Sequence, residues 1–247
     1  MEGILITGGA KRLGKALVKQ AIKLGKTAHL HFNQSEGDAH ALAKDFLDQG
    51  IKVYLHQADL SEVDNCKALI EACVQQGPLT SLINNACHFS HDQALDFSAE
   101  SFDKHMAINA RAPLLLTKYF AQAANDSFDY SVINLTDARL FGLNTDYYSY
   151  TASKFALEGM TKAAALSYAP KVRVNAIAPH MILSNEAQTS KDISSYNKLN
   201  PLQCDPLLED VVMAMTYLLK AKSVTGSTMI IDGGAHLNPT IRDPACE

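Results

Sequence analysis

Short apolar runs alternate with helix-length segments through nearly the whole chain, and this alternation restricts the possible folds more than any other feature. Gly3–Thr7 reads as a strand and Gly14–Leu24 as a helix with Leu13, Leu17 and Ala21 on one face. Lys26–Phe32, Ile51–Gln57, Thr80–Asn84, Tyr130–Leu135, Val172–Ile177 and Ser227–Ile231 read as further strands. Helices are expected over Ser35–Gln49, opened by a Ser cap with Asp38 three residues on, and over Glu62–Gln76, His105–Ala124, Tyr147–Tyr168 and Leu207–Lys220. Strands separated by helices of this length imply right-handed βαβ units. The expected fold is one α/β domain over residues 1–247, built on a doubly wound parallel sheet of about seven strands with helices on both faces. No repeat and no Gly/Ser linker divides it. The least regular stretch, Pro179–Pro206, follows the carboxyl end of a strand, so a substrate flap is expected over 180–206.

The first strand runs into Thr7-Gly8-Gly9-Ala10-Lys11-Arg12-Leu13-Gly14. Glycines there let the backbone turn tightly, and the free N–H groups of the following helix suit a pyrophosphate. A glycine-rich turn also occurs at ordinary strand–helix junctions, but its place in the first βα unit points to a Rossmann fold holding a dinucleotide. The second strand ends in His31-Phe32-Asn33-Gln34-Ser35 with no carboxylate before Glu36, so nothing there repels a ribose 2′-phosphate. Arg12, Gln34 and Ser35 are candidate donors to one, which favours NADPH over NADH. His29 and His31 share one face of that strand, where simple packing is the alternative to ligand contact. Tyr150 and Lys154 stand i,i+4 on one helical face, where a lysine favours the phenolate and lowers the phenol's pKa. A surface contact is the bland reading of that pair.

These motifs resemble those of the short-chain dehydrogenase/reductases, essentially end to end. Gly8 and Gly14 match the TGxxxGxG fingerprint, with Arg12 at the middle glycine. Ala58-Asp59-Leu60 is similar to the family's adenine-contacting segment, and Asn84-Asn85-Ala86 to its NNAG sequence, with Cys87 for glycine. Arg173-Val174-Asn175 through Pro179 matches RVNxxxP, with His180 where glycine usually follows. The resemblance implies catalytic roles for Tyr150, Lys154, Asp137 and Asn109, the last through a backbone carbonyl that holds a water. It implies cofactor contacts from Gly8, Arg12, Leu13, Gly14, His31, Asn33, Gln34, Ser35, Asp59, Leu60, Asn85, Ala86 and Pro179 as well. Asp137 stands 13 residues before Tyr150, where most relatives carry Ser. In this, and in TGGAKRLG, the chain resembles the pteridine and dihydromonapterin reductases. A carboxyl group suits the ring nitrogens of a pterin, although a loop cap is the alternative role. Phe89 corresponds to an aromatic that stacks on the pterin; the alternative places it in the core. Arg12, Phe89, Asp137 and Tyr150 are thus the candidate substrate contacts.

The expected activity is NADPH-dependent reduction of a dihydropterin-type substrate, with dihydromonapterin, dihydrobiopterin and dihydrofolate as candidates. A carbonyl reductase of 3-oxoacyl or sugar type is the second reading, and a non-catalytic NADP(H) sensor the third. Lys and Arg total 22 against 26 acids, a net charge of -4, so a nucleic-acid partner is not expected. No stretch approaches the roughly 20 apolar residues of a membrane span, and a cytoplasmic location is expected. Five cysteines without a CxxC pair support neither a disulfide framework nor a zinc ribbon. His88 and His91 lack neighbouring ligands, so no metal is expected. The resemblance implies a homotetramer.

Overall fold

The computed structural model describes residues 1–180, 200–205 and 207–240. Seven parallel strands form one sheet in the order β3-β2-β1-β4-β5-β6-β7. They are β1 (Gly3–Ile6), β2 (Thr27–Phe32), β3 (Tyr54–Gln57), β4 (Leu79–Asn84), β5 (Tyr130–Leu135), β6 (Val172–Pro179) and β7 (Thr228–Ile231). The strand order reverses between β1 and β4, which opens the crevice where ligands of such sheets bind. Helices α1 (Arg12–Lys23), α2 (Glu36–Leu47) and α7 (Leu208–Lys220) lie among the residues that pack one face of the sheet. On that face Ile4 and Ile6 of β1 join Leu17, Val18, Leu42 and Met215. Leu5 points the other way, to α3 (Val63–Val74), α5 (Ala112–Ala123) and α6 (Tyr148–Tyr168). The period-2 alternation of side chains thus feeds two separate apolar layers from one strand.

Two expected helices and one strand differ from their sequence readings. The helix expected over His105–Ala124 begins at Ala99 instead, as α4 (Ala99–His105), because Ser98 caps it by accepting the Ser101 N–H at 3.1 Å. Its polar first turns carry no apolar period, which hid them. It then widens into a π-turn, Met106–Arg111, before continuing as α5. Ser35 stands at the N-cap position of α2 but makes no side-chain cap bond, and Asp38 pairs with Lys11 at 2.9 Å instead. The strand read from Ile51 begins at Tyr54, since the Ile51 N–H is taken by the Phe46 carbonyl at the end of α2.

A polar seam crosses the second layer beneath the carboxyl edge. Asn84 Nδ2 donates to Asn134 Oδ1 at 2.8 Å, Asn134 Nδ2 to Thr161 Oγ1 at 2.8 Å, and Thr161 Oγ1 to Leu157 O at 2.7 Å. The seam ties β4, β5 and α6 into one register. The RVN motif has a similar structural role: the Arg173 guanidinium donates to the carbonyls of Leu218, Ala221 and Leu219 at the end of α7, while Asn175 holds Val224 and Ser227.

Asn134→Ala strips two buried partners of their bonds and leaves a small void. A loss of about 2–4 kcal/mol in unfolding free energy is expected, read from urea denaturation followed by far-ultraviolet circular dichroism.

Candidate active site

The glycine turn is built by side chains that arrive from neighbouring strands. Thr7 Oγ1 accepts the N–H groups of Asn85 and Ala86, both at 2.9 Å, and Asn85 Nδ2 donates to the Thr7 and Gly8 carbonyls. The Gly8 N–H donates to His31 Nδ1 at 3.1 Å, so the His31 proton sits on Nε2, facing the Ala58 carbonyl at 3.0 Å. Burial pushes His31 down to about 4, and it stays neutral in this role. Asn85, Ala86 and His31 therefore hold the turn in shape, and His29 and His31 are both buried as the packing reading had it. Gly8 has φ +63°, and a Cβ on Gly14 would land on the Gly8 carbonyl oxygen, so neither position admits a side chain without rearrangement.

The N-terminus of α1 is left open for an anion. Lys11 at its N-cap makes no capping bond, and no acid stands in the first turn. Exposed Arg12 has φ +50°, a left-handed conformation that is strained for a bulky residue. Leu13 packs against the first layer and Leu60 is buried in the second, so these side chains serve the core. At the end of β3, Asp59 Oδ1 accepts from the Ser61 hydroxyl and N–H, and the Ser61 bonds hold its carboxyl below the usual range. Asn33 hydrogen-bonds the same carboxylate, and Gln34 is exposed. Pro179 closes β6 opposite Ile231. The flap expected over 180–206 lies almost wholly outside the described residues, including Ser184, Asn185 and Glu186.

Asp137, Tyr150 and Lys154 meet just beyond the end of β5. Tyr150 donates its phenol proton to Asp137 Oδ2 at 2.6 Å. Asp137 Oδ1 meanwhile accepts the Arg139 N–H at 2.8 Å and caps the short 3₁₀ turn Ala138–Phe141. Asp137 thus caps the turn with one oxygen and faces the Tyr150 phenol with the other. Lys154 Nζ donates to the Leu135 carbonyl at 2.6 Å and stands 5.7 Å from the Tyr150 ring centre. The expected lowering of the phenol by Lys154 is therefore corrected. Burial first, and the facing Asp137 carboxylate second, hold Tyr150 well above its ordinary value. Among the protein's own groups, Tyr150 therefore keeps its proton.

Asn109 lies in the π-turn, fully buried. Its amide accepts from the His88 N–H at 2.7 Å and donates to the His88 carbonyl at 2.8 Å, and also to Ser153 Oγ at 3.0 Å. Its side chain thus fastens the loop after β4 to α6. That loop carries Phe89, which stacks on Tyr147 with ring centres 4.4 Å apart and meets Tyr150 edge-on at 4.7 Å. Phe89 is 45% exposed, so it faces the cleft and does not belong to the core.

Sequence reasoning missed two contributors. Tyr147 sits at the N-cap of α6 with φ +58° and under Arg139, whose guanidinium lies 4.9 Å from its ring centre. Asp92 caps α6 from a distance: its Oδ1 accepts the Ser149 N–H at 2.9 Å and its carbonyl the Tyr148 N–H at 3.2 Å. A cap 57 residues away leaves no local signal. Asp92→Ala should lower stability by about 1–2 kcal/mol, and Asp92→Asn, which keeps an acceptor oxygen, should recover most of it in thermal unfolding.

Residues 8–236 match the family model described as enoyl-(acyl carrier protein) reductase. Pteridine reductase 1 of Leishmania tarentolae is 32% identical, over 94% of this chain and 96% of its own length. Dihydromonapterin reductase of Citrobacter koseri is 29% identical, over 95% and 96%. The 3-oxoacyl-[acyl-carrier-protein] reductase FabG of Staphylococcus aureus is 25% identical, over 96% and 98%. Among solved structures, FolM alternative dihydrofolate reductase 1 from Brucella suis in complex with NADP superposes with a TM-score of 0.92 at 33% identity, covering 96% of each chain. A fingerprint turn, a Tyr/Lys helix and a match over nearly the whole length agree: the chain belongs to the short-chain dehydrogenase/reductase family.

Proposed function

We propose that the chain is an NADPH-dependent reductase of dihydropterin-type substrates, taking dihydromonapterin, dihydrobiopterin or dihydrofolate to the tetrahydro form. The observation that carries this reading is the Asp137–Tyr150 hydrogen bond of 2.6 Å beside half-exposed Phe89. The pteridine, dihydromonapterin and FolM relatives support it. A cytoplasmic homotetramer is part of the same reading; no described helix is long and apolar enough to cross a membrane.

The protein's groups fit the cofactor. The α1 N-terminus offers uncapped N–H groups with no acid in its first turn, and Ser35 has its hydroxyl free of a capping bond. Arg12, Gln34 and Ser35 would hold the 2′-phosphate, Asp59 the adenine end, and Lys154 with Tyr150 the nicotinamide ribose. Bound NADPH supplies a hydride to the ring carbon of a C=N bond. The Tyr150–Asp137 pair orients that bond and gives the ring nitrogen its proton, and charge developing on the nitrogen is met by donors already fixed in place. Phe89 lays a ring beside the flat heterocycle.

The FabG relatives favour a second reading, reduction of a 3-oxoacyl or similar carbonyl. Asp137 opposes it, because a carboxylate facing a developing oxyanion repels it unless protonated, whereas a pterin's ring nitrogens and amino group give a carboxyl group hydrogen-bond partners. Asp137→Ser should cut pterin kcat/KM sharply while acetoacetyl-thioester reduction suffers less or rises; an unchanged ratio of the two would move the carbonyl reading ahead. Tyr150→Phe should fold and bind NADPH yet lose roughly 10²–10⁴-fold in turnover.

Arg12→Gly separates cofactor contact from backbone strain. Glycine adopts φ +50° without a Cβ penalty, so stability should stay within about 1 kcal/mol of the parent. NADPH affinity should fall more than NADH affinity, measured by fluorescence titration at two salt concentrations. Equal losses would place the guanidinium on the shared pyrophosphate or the substrate.

A further inference from the structure

Away from the carboxyl edge, three side chains that the proposed reaction does not use converge on one point. His29 Nδ1 lies 3.0 Å from His56 Nε2, and Cys73 Sγ lies 3.6 Å from the same His56 nitrogen. All three atoms fall within 4.8 Å of one another. They come from β2, β3 and α3, 27 and 17 residues apart, so no sequence spacing announces them. His29 and Cys73 are 1% and 0% exposed, while His56, on the edge strand, is partly open. The His29 ring stacks on Tyr54 at 5.1 Å, and it occupies room that a side chain on Gly3 would take, 3.2 Å from the Cβ position.

Hydrogen bonding alone serves this cluster poorly. His56 Nε2 carries either one proton or one lone pair. With the lone pair, it can accept from only one of His29 and the thiol; with the proton, it serves His29 at 3.0 Å and leaves the thiol sulfur as a weak acceptor at 3.6 Å. A cation at the centre uses a lone pair from each atom. Zinc–nitrogen bonds of about 2.0–2.1 Å and zinc–sulfur bonds of about 2.3 Å, at tetrahedral angles, place ligand atoms about 3.3 Å (N···N) and about 3.6 Å (N···S) apart. The separations from His56 Nε2 are 3.0 Å to His29 and 3.6 Å to Cys73, and the third pair lies within 4.8 Å.

We propose that His29, His56 and Cys73 form a binding site for a borderline transition-metal cation of the zinc type, held by two imidazoles and one thiolate. The thiol gives its proton to solvent on binding, and the fourth position faces outward beside His56. Two nitrogens and a sulfur select zinc, cobalt(II) or copper(I) over magnesium or calcium. Burial pushes both imidazoles down, His29 to about 4, which favours their lone pairs, and pushes the Cys73 thiol up, so the thiolate forms only as the cation binds. The ion would staple the β2–β3 edge to α3. Its role is structural, because these side chains contact one another and Tyr54 and none of Asp137, Tyr150 and Lys154.

The test uses the full chain, stripped with a chelator and kept reduced, with cobalt(II) as the probe and zinc as competitor. One equivalent of cobalt should produce visible bands of tetrahedral intensity and a near-ultraviolet sulfur-to-cobalt band, both displaced by zinc. Zinc should also raise the unfolding midpoint. Cys73→Ser should remove the sulfur band and weaken cobalt binding on the order of 100-fold or more. His56→Gln, at the partly open edge, should weaken it at least about tenfold while NADPH affinity stays unchanged. That second variant keeps the test decisive if Cys73→Ser misfolds. The absence of a saturable cobalt band in the parent protein would overturn the proposal. So would equal binding by the parent and either folded variant.

Discussion

A parallel sheet covered on both faces ends, at its carboxyl edge, in backbone groups that have no neighbouring strand to bond, and this constraint organises the site. Burial forbids leaving those groups unpaired, so side chains must reach them. Thr7 and Asn85 bond across the β1/β4 break, His31 takes the Gly8 N–H, and Lys154 takes the Leu135 carbonyl. Thr136 Oγ1 donates to the Ile177 carbonyl at 3.3 Å in the same way. The polar residues that satisfy the sheet edge are largely those that motif reasoning assigns to cofactor and catalysis. The hydrogen bonds observed there are structural, and the chemistry proposed for the site would draw on the same side chains.

Asp137 shows how one side chain carries two functions without compromise. One oxygen terminates β5 by capping the following turn, and that bond fixes the carboxylate's orientation. The other oxygen then points at the Tyr150 phenol and holds its proton in place. A serine at this position has a single oxygen, which cannot cap the turn and face Tyr150 with the same strength. Asn109 and Asp92 complete the frame by tying the Phe89 loop to α6 from two sides. Phe89 and Tyr150 are therefore held on one hydrogen-bonded frame.

Elements with strong period-2 or period-3.6 patterns were legible in the sequence: the seven strands, the parallel topology, the glycine turn and the Tyr/Lys helix. So was the departure at Asp137, since it stands at a fixed offset from Tyr150. These features depend on chain-local spacing, which a single sequence displays. Ser98–Lys104 escaped because a polar helical turn has no apolar period, and the π-turn around Asn109 leaves no mark of its own in the sequence.

Tertiary structure alone decided what each polar group is bonded to. The direction of the Tyr150 shift depends on Lys154 turning to a carbonyl while Asp137 takes the phenol. The meeting of Tyr147 with Phe89, the capping of α6 by Asp92, and the convergence of His29, His56 and Cys73 also lie outside the reach of spacing. The physical reason is the same in each case. Periodicity fixes which face of an element is buried, but hydrogen bonds and ring contacts between elements depend on register and crossing geometry, which only the packed sheet and its helices supply.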